Sequence, residues 1–156
     1  MSFDASRIGP AFFVRWRDSV SAEDCEDIVV RLRREAEDAG HKLIYVSSVP
    51  KELEVPDGPA RRALSEGTEA AADVCTSIHV VIEGRGMRRA LIRSVSAGLL
   101  LVTGRRGKGF FIHETARDAL GEAKGHAGAP IDVEGLLRQA AEAGLVEPEM
   151  NQSMPA

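Results

Sequence analysis

Thr76–His113, TSIHVVIEGRGMRRALIRSVSAGLLLVTGRRGKGFFIH, is the stretch whose reading decides the fold. It opens with a strand in which Ile78, Val80 and Ile82 alternate with His79 and Val81. It turns at Gly84-Arg85-Gly86, continues as a helix with Met87, Leu91, Val95 and Leu99 on one stripe, and turns again at Thr103–Gly109 into the strand Gly109–Ile112. Strand, glycine turn, helix and strand in that order make a parallel-sheet crossover. A histidine inside such a strand, His79, reads as a satisfied structural residue rather than a catalytic base.

The same stretch carries a charge anomaly. Arg85, Arg88, Arg89, Arg93, Arg105, Arg106 and Lys108 fall between Gly84 and Lys108 with no Asp or Glu among them, in a chain of net charge -4. The glycine turns give backbone amides that can cradle an anion. Arg85, Arg88, Arg89, Arg105, Arg106 and Lys108 are therefore the candidates for holding a small anion or a partner. A pI near 5.6 and only 4% aromatic residues argue against a dedicated nucleic-acid binder, which needs a basic face and stacking rings.

Toward the amino terminus the pattern alternates between strands and helices. Residues 1–10 are polar and are expected to be flexible. AFFVRWR then places Phe13, Arg15 and Arg17 on one face and Phe12, Val14 and Trp16 on the other, a strand half covered by protein. Ser21 caps a helix with Glu23 and Asp24 in its first turn, its inner stripe being Cys25, Ile28, Val29, Leu32 and Ala36, and Gly40 stops it. His41–Ser47 is a short buried strand, with Ser47 and Ser48 closing it as structural residues. Pro50, Pro56 and Pro59 then bar regular pairing, and Asp57 is placed to cap a helix that Pro59 starts and Ala60, Ala63, Leu64, Ala71, Val74 and Cys75 bury. Gly67 within it marks a bend or a tight contact.

Toward the carboxyl terminus, Phe110–Ile112 is followed by Thr115 and Asp118 at capping spacing and by Ala116, Ala119 and Leu120 on an inner stripe. Gly121–Pro130 reads as a linker. Val133, Leu136, Leu137 and Ala140 recur at helical spacing within Asp132–Ala143. That helix is expected to pack on its own domain or on a second copy, with a homodimer favoured. The division is a flexible segment 1–10, an α/β domain 11–125, an appended helix 126–146 and a disordered tail 147–156.

The alternation over Phe12–Glu122 predicts an α/β fold: a single sheet of about four to five mainly parallel strands with packed helices, plus the C-terminal helix. The chain here resembles the STAS family, the anti-sigma factor antagonist domains of bacterial regulation. The residues that carry the resemblance are HKLIYVSSV before a proline-interrupted loop, the helix opening DGPARRAL, the strand SIHVVIEG, and FFIHETARDAL, similar to the family's closing strand and helix. The resemblance implies a protein-interaction domain with a regulatory partner. Phosphorylatable members carry an Asp-Ser pair opening the helix after the second strand; the matching stretch here is Asp57-Gly58-Pro59, without a hydroxyl. Asp57, Gly58 and the nearby Ser48 are the candidates for a switch loop.

Catalytic and metal signatures are missing from the pattern. The turn GRRGKG has Val102 and Gly109 where a P-loop needs glycine and a hydroxyl, and it precedes a strand rather than a helix. Arg89 stands where a dinucleotide fingerprint needs its third glycine. His41, His79, His113 and His126 are scattered, and Cys25 and Cys75, both assigned to predicted helices, read as reduced core thiols. The expectation is a noncatalytic module without cofactor. The alternative is a small anion- or nucleotide-binding module built on Gly84–Lys108. AGLLLV at Ala97–Val102 is the longest apolar run and is too short to span a bilayer, so a cytoplasmic location is expected.

Overall fold

Strands β2 (Ala11–Trp16), β3 (Leu43–Val49), β4 (Cys75–Ile82) and β5 (Phe110–His113) lie parallel and in chain order, and β1 (Phe3–Ile8) closes the sheet antiparallel to β2. The structure is a computed structural model, and it describes residues 2–84 and 109–148. Helices α1 (Ala22–Ala39) and α2 (Gly58–Ala72) make the first two crossovers. Because each parallel crossover turns right-handed and each strand is laid beside the last, α1 and α2 fall on one face of the sheet. The other face is covered by α3 (Ala116–Lys124) and α4 (Val133–Glu142).

The two layers have distinct cores. Phe12, Val14, Trp16, Leu43, Tyr45, Ile78 and Ile82 point toward α1 and α2, where Cys25, Ile28, Leu32 and Ala71 meet them. Ala11, Phe13, Ile44, Val46 and Val81 point the other way, against Ala116, Ala119, Leu120, Leu136, Leu137 and Ala140. The central strands are buried on both faces, as parallel strands with helices above and below must be. β2 is therefore not half covered, as its alternation suggests: Phe13 is fully buried.

The capping residues act as their spacing implies. The Ser21 hydroxyl accepts from Asp24 N, the Asp57 carboxylate from Ala60 N at 2.9 Å, Thr115 Oγ1 from Asp118 N, and Asp132 from Gly135 N. Gly40 ends α1 with φ 76°, the left-handed conformation that favours glycine. α2 runs unbroken through Gly67, where an added Cβ would come into ordinary contact with Val29 of α1.

Three expectations need correction. Residues 3–8 are not a loose segment but β1, fastened by six register pairs to β2 and by Arg7 and Arg17 bound to Glu35 and Asp4. Polar residues suit an edge strand, where charge blunts the unpaired rim. The linker expected over Gly121–Pro130 begins too early, because α3 continues to Lys124 with Ala123 fully buried. Cys75 begins β4 rather than ending a helix. Of the expected core, Val14, Ile28, Leu32, Ile44, Val46, Ile82 and Leu120 are buried; Leu64, Val80 and Phe111 are half-buried; Leu91 and Val95 lie outside the described residues. The stripe of α4 is covered within its own chain: Leu136, Leu137 and Ala140 are buried against the layer that holds α3. Among the described residues no helix is long and apolar enough to cross a membrane.

Candidate functional site

The face of the sheet beneath α3 and α4 carries an unusual set of polar side chains for a parallel-sheet interior. Strand register sets them in rows: Ile44 beside Ser77, Val46 beside His79 and Phe111, Arg15 beside Ser48 and Val81, with Glu83 just past the end of β4. Period-2 alternation turns all of them to the same side as Phe13 and Val46. Such groups are tolerated in a core only when they find partners.

The lower part of this set is satisfied. His79, completely buried, lies 2.8 Å from Ser77 Oγ through Nε2 and 2.9 Å from His113 Nε2 through Nδ1. One proton is shared across each contact, so the three residues form a chain from buried Ser77 to half-buried His113. Phe111 stacks on His79 with ring centres 5.3 Å apart, and His126 tilts against Phe111. Burial drives the His79 imidazole down to about 3, with His113 and His126 adding to the effect, and burial also holds His113 below its ordinary value. The structural reading of His79 holds, because both of its ring nitrogens are occupied.

The upper part is only partly satisfied. Arg15 Nη2 donates to Glu83 Oε1 over 2.8 Å, an ion pair whose carboxylate is 5% exposed. Burial pushes the Glu83 carboxyl up, and the Arg15 guanidinium works against that shift. Arg15 Nε, Ser48 Oγ and Glu83 Oε2 are buried without a hydrogen-bond partner among the described residues. This row lies at the carboxyl ends of β2, β3 and β4. The chain beyond α4 passes over it: Leu145 and Val146 are buried in the same layer, and the backbone of Glu147 hydrogen-bonds Glu83. Two unmet donors and one unmet acceptor can hold a small polar group or an ordered water.

The residues singled out from the sequence are not brought together there. Arg85, Arg88, Arg89, Arg105, Arg106 and Lys108 lie outside the described residues. Ser48 belongs to β3, not to a switch loop, and its hydroxyl is inside the core. Asp57 and Gly58 are exposed at the opening of α2, where the carboxylate serves as the N-cap. Arg15, Ser77, Glu83 and His113 were not anticipated as a group. The signal that marks them is their parity, since each shares its strand face with a large apolar residue such as Phe13, Val46 or Val81.

Other reactive groups are locked away. Cys25 and Cys75 are free thiols, and burial pushes them up to about 11 and about 12, which keeps them protonated and unreactive at neutral pH. Among the described residues no cluster of three His, Cys, Asp or Glu side chains is placed to hold a metal ion. Fold and site together define an α/β domain with a sequentially ordered, mainly parallel sheet and a buried polar row at its carboxyl edge. Compared with known protein families, characterised proteins and solved structures, the chain matches none.

Proposed function

We propose that this chain is a noncatalytic, STAS-like protein-interaction domain of bacterial signalling that works without the phosphoacceptor serine. The observation that carries the reading is the opening of α2. Asp57, Gly58 and Pro59 are exposed, and Asp57 Oδ1 holds the amide of Ala60 at 2.9 Å. The site that the resemblance marks for phosphorylation is thus occupied by a carboxylate that caps a helix amino terminus. The helix beyond it turns Arg61, Arg62 and Glu66 to solvent, a charged surface suited to a partner.

The burial of Ser77 and His79 away from solvent, and the burial that keeps both thiols protonated, support the noncatalytic part. Affinity capture with the full chain, followed by mass determination of the eluted complex, tests the proposal. A stoichiometric protein partner that is lost on Arg62→Glu, with the melting temperature unchanged, supports it. Recovery of no stoichiometric partner, a second copy included, contradicts it.

A further inference from the structure

A cavity of about 90 Å³ lies on the opposite face of the sheet from the polar row, between β2, β3 and β4 and the helices α1 and α2. Its walls are mostly apolar, with Ile28, Leu53, Ala71, Ile78 and Phe110 prominent among them. Natural interiors hold few voids larger than a water, and an unfilled apolar void costs its walls their packing contacts. No Lys, Arg, Asp or Glu is among the described residues that line it. The polar atoms it does contain come from the sheet: Trp16 Nε1 donates to Ser47 Oγ across a long 3.3 Å, and the Tyr45 hydroxyl lies beside Ser47. Thr68 adds none, because its hydroxyl is spent on the Leu64 carbonyl at 2.7 Å. The lining residues Val29, Leu64, Gly67 and Thr68 are half-buried, which places the way in between α1 and α2.

We infer that this cavity is a binding site for a small uncharged molecule, mainly apolar and carrying one hydrogen-bonding oxygen. Its size sets the scale. At roughly 10–15 Å³ for each water-sized atom, it takes on the order of six to nine heavy atoms, the size of a single ring or a short branched chain. The described walls set the charge, since none of their residues offers a counter-charge and an ion entering between them leaves its hydration behind. Ser47 and Tyr45 together supply the polar anchor: the Ser47 hydroxyl accepts from Trp16 and shares one proton with the Tyr45 hydroxyl, so the pair keeps one donor for the ligand oxygen. The inference stands apart from the protein-interaction reading, which concerns the exposed opening of α2.

Trp16 is the only tryptophan of the chain and lines the cavity, so its emission reports occupancy. The probe is benzyl alcohol, titrated into the full chain at neutral pH and compared with benzoate and toluene. The expected result is a saturable change in Trp16 emission with benzyl alcohol and binding at least about tenfold weaker for benzoate. Ser47→Ala is expected to weaken benzyl alcohol roughly three- to tenfold and to leave toluene unchanged. Ala71→Leu, which fills the void from α2, is expected to abolish the response without lowering the melting temperature. A linear, unsaturable response, benzoate binding as tightly as benzyl alcohol, or a folded Ala71→Leu protein that binds like wild type would each overturn the inference. Should Ala71→Leu not fold, the Ser47→Ala comparison decides: equal losses for benzyl alcohol and toluene, or none for either, also overturn it.

Discussion

Arg15 on β2 reaches across β3 to Glu83 at the end of β4, and Nη2 meets Oε1 at 2.8 Å over a strand that contributes Ser48 as Arg15's register partner. A single ion pair thereby ties the three central strands together at their carboxyl edge. Removing one member of a buried pair leaves the other charge stranded, at a cost of several kcal/mol when both are fully enclosed. Arg15 is 28% exposed, which softens the loss. Arg15→Met is expected to destabilise the chain by about 2–3 kcal/mol in urea unfolding, and Arg15→Met with Glu83→Gln by clearly less. A loss in the double variant equal to the sum of the Arg15→Met and Glu83→Gln losses would show that the pair is not coupled.

Acid should weaken the fold through His79. Its folded value of about 3 lies below the ordinary 6.5, so the unfolded chain takes up a proton that the folded chain refuses. The stability that the neutral imidazole allows is complete above pH 6.5 and is lost as pH falls from there toward 3, by up to about 1.4 kcal/mol for each pH unit. His113, also held low, acts in the same direction. Glu83, held high, is the opposing group: its contribution grows as pH falls through its raised folded value and is complete below about 4.5. Unfolding midpoints between pH 7 and pH 5 are expected to fall less steeply in His79→Gln than in wild type. Identical slopes would remove His79 as the cause.

Two glycines should respond oppositely to alanine. Gly84 has φ +84°, and an added Cβ would come within 2.6 Å of Lys51 Cβ, so Gly84→Ala combines backbone strain with a clash. A loss of about 1–3 kcal/mol is expected. Gly67 lies within α2, and its Cβ would meet Val29 Cγ2 at 3.7 Å, an ordinary contact. Gly67→Ala is expected to gain up to about 1 kcal/mol from helix propensity. Thermal melts of both variants check the pair.

Asp57→Ala removes the cap of α2 and should cost about 1 kcal/mol, with Asp57→Ser recovering most of it. Chemical denaturation of the two variants provides the comparison; equal stability in all three proteins would mean that the cap contributes nothing.

Much of this architecture can be read from local signals. Ser21, Asp57, Thr115 and Asp132 mark helix starts because capping is a contact within four residues, and the alternation in Phe12–Trp16 and Ile78–Ile82 fixes which residues share a face. Contacts made across the sheet were not legible. Arg15 alternates with Val14 and Trp16, so it looks like a solvent-facing residue. Only α3 and α4, joined far down the chain, turn that side into a second core. β1 escaped notice for a related reason: an edge strand with Asp4, Ser6 and Arg7 lacks an apolar run and is recognised only once Phe3 and Ala5 pair with Trp16 and Val14. The candidate site suffers most, since His79, His113, Arg15 and Glu83 are separated by up to 68 residues of sequence for the ion pair alone.

The most direct test of the interaction reading is amide hydrogen exchange of the full chain, alone and bound to the partner that it captures. Added protection at residues 57–66, with the Ser77 to Val81 core amides unchanged, is the result expected of a domain that binds through the opening of α2. Unchanged exchange at 57–66 in a stoichiometric complex would contradict it.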